Sequence, residues 1–140
     1  MDTEKIRHLI QQFQNRTLPK EDWTHEAHLI VAIWFVKNYT LAEATCYIRA
    51  GIIAYNVAVD TPNTSTSGYH ETITLFWIRL IEIYIQQHQH LEIEALTDQF
   101  LASKYAQKNI FFEYYTKNLL FSTEARGIWH MPDLRPISLL

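Results

Sequence analysis

An all-α domain is the fold class this sequence predicts, and three observations predict it. The 140 residues include only 3 Gly and 4 Pro, too few to turn the many hairpins of a β-rich domain. Apolar residues recur at helical spacing, as in Ile6, Leu9, Ile10 and Phe13. Good N-cap residues stand where such runs begin, notably Asp2, Thr24 and Thr40. The length fits one domain, residues 1–140. The expected architecture is a compact bundle of five to seven helices around two central, nearly all-apolar ones.

Asp2 or Thr3 caps a first helix reaching about Arg16, and Pro19 then opens a short connector to Trp23. Thr24 caps a second helix over residues 25–38. Thr40 and Glu43 form a capping box that starts a third, running to about Val59. Ala50, Gly51, Ala54 and Ala58 on that helix leave room for a close neighbour. The polar loop 60–68 is the clearest break in the chain, and a fourth helix follows over about 69–88. Within it, residues 81–85 alternate like a strand, but the segment is long and unbroken, so helix is the better reading. Shorter helices are expected over 91–102 and 107–118, with a stub after Ser122 and an irregular tail from Met131. The second and fourth helices are apolar on nearly every side, which places them in the middle of the bundle.

Composition narrows the function classes. Hydrophobic residues make up 48% and aromatic residues 14%, enough for a real core and too much for a disordered chain. The net charge of -3 includes no long run of one sign, so no basic face for nucleic acid is expected. The longest apolar run, 29–36, is too short to span a bilayer. The polar start lacks the features of a secretory signal, so a cytoplasmic location is expected. Cys46 is the single cysteine, which excludes an internal disulfide; a buried thiol is expected there.

Two histidine motifs carry the functional interest. In Trp23-Thr24-His25-Glu26-Ala27-His28 the imidazoles are three apart and share one helix face, with Ala32 leaving space beside them. The second motif is Gly68-Tyr69-His70-Glu71-Thr72. Antiparallel packing through helix three would bring both helix starts to one end, so His25, His28 and His70 are expected to share a ligand. As metal ligands they suit Zn²⁺, Fe²⁺, Ni²⁺ or Mn²⁺, with Glu26 or Glu71 as general base. Trp23, Asn56, Tyr69 and Thr74 are expected to line a pocket for a small polar ligand. A His-x-x-His pair arises readily by chance in a chain with 7 His, and it is one residue shorter than the zinc-protease spacing. Arg79 and Glu82 are expected to pair. His130 is a candidate to fold back towards the site, against a packed tail as the simpler alternative.

Four segments together are similar to a known group. Trp-Thr-His-x-Ala-His-Leu at 23–29, Gly-Tyr-His-Glu-Thr-Ile-Thr at 68–74, Ser-x-Glu-Ala-Arg at 122–126 and Pro-Asp-Leu-Arg-Pro at 132–136 resemble small, functionally unassigned bacterial all-α proteins. The resemblance spans residues 23–136 and implies that both histidine motifs and the tail recur together. It implies no reaction, substrate or cofactor.

Three functions are therefore in competition. One is a metal-binding protein or small metal-dependent enzyme. Another is a non-metal module binding a small ligand. The third is a structural or regulatory bundle acting through a partner or as a homodimer, with Phe111, Phe112, Tyr114 and Tyr115 as the contact.

Overall fold

In the computed structural model, which describes residues 1–139, the chain is helical and no strand occurs among those residues. Seven α-helices are present among the described residues: α1 (Thr3–Asn15), α2 (His25–Asn38), α3 (Leu41–Ala58), α4 (Glu71–Gln87), α5 (Ile93–Ala102), α6 (Lys117–Leu120) and α7 (Thr123–Gly127).

The expected caps set the helix starts. Asp2 accepts from the Lys5 amide, Thr24 from Ala27 and Thr40 from Glu43, and the Glu43 carboxylate returns a bond to Thr40. Each cap satisfies an amide that the first helical turn leaves without a partner. At the other end of α1, Arg16 takes a left-handed conformation and closes the helix. Only Tyr39 and Thr40 separate α2 from α3, so the chain doubles back at once.

The two central helices are α2 and α4, and they pack most extensively against each other. In α2 every residue from Leu29 to Val36 is buried except Trp34, which is half-buried. In α4 the buried set includes Phe76, Trp77, Leu80, Ile81 and Tyr84, a helical stripe. The strand-like alternation at 81–85 is overridden because this stripe needs one continuous face against α2.

A helix over 107–118 does not form. Two 3₁₀ turns, Lys104–Ala106 and Ile110–Glu113, lead to the short α6 instead. Thr116 interrupts the run: its amide and hydroxyl both bond Asp133 from the tail, and its oxygen caps α6. Phe111, Tyr114 and Tyr115 are buried and Phe112 packs against the core. They are core residues, so they do not form the exposed partner contact expected of them.

Three further expectations are corrected. Cys46 is exposed, because α3 buries only its other face. Arg79 lies over the Trp129 ring, 4.1 Å from its centre, in place of pairing with Glu82. The small residue Gly51 admits the buried Phe13 ring of α1, where a neighbouring backbone was anticipated. The tail is irregular and packed: Tyr114 and Tyr115 donate to the carbonyls of Ser138 and His130. No helix among the described residues is long and apolar enough to cross a membrane.

Candidate functional site

A cavity of about 480 Å³ lies where the N-terminal halves of α2 and α4 meet the middle of α3. From α2 come His25, His28 and Ala32; from α3, Ile48 and Ile52; from α4, Ile73, Thr74, Trp77 and Ile78. Trp23 closes one side, and Lys108 and Phe121, both exposed, stand at its margin. The wall is mostly apolar with few polar groups, as in sites for small organic molecules. Both helix starts do come to one end, as the antiparallel return through α3 requires.

The caps explain how the first motif reaches this wall. With Thr24 at N-cap, His25 and His28 occupy the first turn of α2 on the side facing α4. The His28 ring stacks on Trp23 with centres 3.7 Å apart, and Trp23 in turn stacks on Phe13. His28 Nδ1 lies 2.7 Å from the Thr24 carbonyl. A carbonyl only accepts, so Nδ1 carries the proton and Nε2 keeps a lone pair. Burial is the main cause that lowers the His28 pKa from 6.5 to about 4; the bond to Thr24 opposes it, and the His25 and Lys108 charges add to it. At neutral pH His28 is therefore an uncharged acceptor.

His25 is held the other way round. Its Nε2 donates to the Ala106 carbonyl at 2.7 Å. That bond also ties the loop carrying Lys108 to the start of α2.

His70 does not join this pair. It is the N-cap of α4: Nδ1 accepts from the Ile73 amide at 3.1 Å, and Nε2 donates to the Leu120 carbonyl at 2.7 Å. Both ring nitrogens are committed, the residue is buried, and it does not line the cavity. Burial holds its pKa below the ordinary value, with the Arg126 charge in support. The expected convergence of three imidazoles fails because capping uses the nitrogen that ligation would need. Among the described residues, no group of three or more His, Cys, Asp or Glu side chains is placed to hold a metal ion.

The expected carboxylates are also elsewhere. Glu26 is exposed and outside the cavity wall. Glu71 forms a two-pronged ion pair with Arg49, at 3.0 Å to Nε and 2.7 Å to Nη2, and accepts the Tyr69 hydroxyl at 2.5 Å. Burial alone would raise the Glu71 pKa, but Arg49 and Tyr69 outweigh it and hold the carboxylate below its usual range. Burial, reinforced by Glu71, pushes the Tyr69 hydroxyl up. This network joins α3 to α4, and Glu71 does not line the cavity.

Of the expected pocket residues, Trp23 and Thr74 line the cavity, whereas Asn56 and Tyr69 do not. Asn56 donates to the Asn63 side chain, which also accepts the Tyr69 amide and so ties down the 60–68 loop. Gly68 closes that loop at φ +74°, where a Cβ would sit 2.4 Å from the Pro62 carbonyl oxygen. His130 packs with the tail: its amide donates to Thr72 and its carbonyl accepts from Tyr115.

Sequence reasoning missed Lys108, Ile48, Ile52 and Ile73 as parts of the wall. The three isoleucines were legible only as core. Lys108 had no local signal, because irregular backbone places it. No protein-family model matches the chain, and neither a curated protein nor a solved structure does.

Proposed function

We propose that the protein is a binding module for a small, mainly apolar organic molecule, held in the cavity between α2, α3 and α4. One observation carries this reading: an apolar cavity of about 480 Å³ has two imidazoles in its wall, each with one nitrogen already committed to backbone. Such a wall desolvates an apolar body, and the lone pair left on His28 Nε2 orients it. The metal-dependent reading is the weaker one, since a catalytic zinc site ordinarily uses three protein ligands and only two imidazoles meet here.

The test is a titration with 2-naphthol, followed by thermal unfolding. At ten times its Kd a ligand specific for the folded state adds about 1.4 kcal/mol of stability. The wild type should show that gain, and Ala32→Phe, which fills the cavity, should lose it while remaining folded by circular dichroism. An equal gain in both proteins, or none in either, would contradict the reading. Saturable 1:1 binding of Zn²⁺ that His28→Phe and His70→Phe both abolish would favour the metal site instead.

A further inference from the structure

The cavity's polar groups differ in kind, and the difference bears on ligand class. This step rests on the binding reading above. Hydrogen bonds fix the protons of both imidazoles on nitrogens that face backbone carbonyls. What the uncharged His28 ring offers a ligand is therefore a lone pair on Nε2. An apolar molecule laid over it would strip its water and give nothing back, and an anion would be repelled. A ligand with an O–H or N–H donor satisfies it.

The margin has the opposite character. Lys108 is a cation at the edge, close enough for its charge to act on His28, and no acidic side chain lines the cavity. Unopposed positive charge there favours an anionic group on the part of the ligand that reaches solvent. Its exposure makes that attraction modest and sensitive to salt.

Size and wall composition define the body between these two ends. A closed apolar cavity of about 150 Å³ holds benzene. At about 480 Å³, with part of the space open to solvent, two fused or linked rings fit. Trp23, Trp77, Phe111 and Phe121 all contribute to the wall, and aromatic edges and faces pair well with a flat ring system.

We infer that the ligand is a two-ring aromatic weak acid, with a hydroxyl or N–H donor bonded to His28 Nε2 and an anionic group directed at Lys108. Four probes separate the contributions: naphthalene, 2-naphthol, 2-naphthoate and 6-hydroxy-2-naphthoate. Dissociation constants are read from the indole N–H resonances of Trp23 and Trp77. The hydroxyl should tighten binding about tenfold in the wild type, the worth of one well-made hydrogen bond. The carboxylate should add a few-fold gain that weakens with salt. His28→Phe preserves a ring against Trp23 and should abolish the hydroxyl's gain only. Lys108→Gln should abolish the carboxylate's gain only, with naphthalene binding to both variants as the control for an intact cavity. If the four probes bind the wild type alike, the ligand class is wrong and the apolar site stands. A hydroxyl gain that survives in His28→Phe likewise overturns the assignment. If none of the four binds, the cavity reading fails and this inference fails with it.

Discussion

Charging His28 would place a proton on a ring stacked against Trp23 and partly withdrawn from water, which is why its pKa falls from 6.5 to about 4. The unfolded ring has the ordinary value, so below it the unfolded chain binds more protons than the folded one. The stability contributed by neutral His28 is complete above about pH 6.5, fades as pH drops towards 4, and is lost below that. A shift of this size corresponds to about 3 kcal/mol for a fully buried ring, and to less for one that keeps some solvent contact. Urea unfolding between pH 7.5 and 4 should show this loss, reduced in His28→Phe; the depressed His70 acts in the same direction and keeps the slope from vanishing. An unchanged slope in the variant would contradict the assignment. A second residue-scale expectation concerns Thr97, fully buried with its hydroxyl unpartnered. Thr97→Val should stabilise by about 1 kcal/mol, since it removes a buried polar group that gains no bond; a loss of stability would show that the hydroxyl is satisfied. The His25–His28 spacing was readable in the sequence because helix geometry fixes it. The role of His70 was not, because histidine is outside the usual N-cap set and its sequence context resembles a ligand motif.

Helix α3 shows how one position reverses a general rule. Replacing a mid-helix glycine by alanine normally gains about 0.5–1 kcal/mol. At Gly51 the added Cβ would stand 2.6 Å from two carbons of the Phe13 ring, so the ring must shift out of its packing against Trp23 and Tyr55. Gly51→Ala should therefore destabilise by about 1–3 kcal/mol, measured by urea unfolding; a gain would mean that α1 and α3 adjust freely. In α4, Phe76 is 0% exposed and touches Trp77, Phe111, Tyr114 and Tyr115. Phe76→Ala should cost about 3–5 kcal/mol, a large share of a typical 5–15 kcal/mol. An unchanged melting temperature would contradict that burial. Helices α1 to α3 were legible from caps and apolar spacing, and α4 and α5 from their apolar runs and the breaks before them, since those signals are local. Residues 104–121 were not, because a contact from Asp133, far along the chain, decides where α6 starts.

Across the whole molecule, the chain order accounts for the cavity's position. The immediate return at Tyr39 and Thr40 sets α3 against α2, and the 60–68 loop brings the start of α4 back beside the start of α2. The side chains there are small or branched (Ala32, Ile48, Ile52, Ile73, Ile78) and leave a space that the aromatic residues border but do not fill. That arrangement of starts was deducible from helix order. The cavity's volume and the place of Lys108 were not, since both depend on packing between distant segments. The central claim is that this space, and not the apolar surface elsewhere, is where a small molecule binds. Methyl NMR during a 2-naphthol titration tests it most directly. Saturating shifts at Ala32, Ile48, Ile52, Ile73 and Ile78 are predicted, with Ile53, Ile128 and Met131 unmoved; these three are exposed, and none of them lines the cavity. Shifts confined to Ile53, Ile128 and Met131, or none at saturating probe, would contradict the claim.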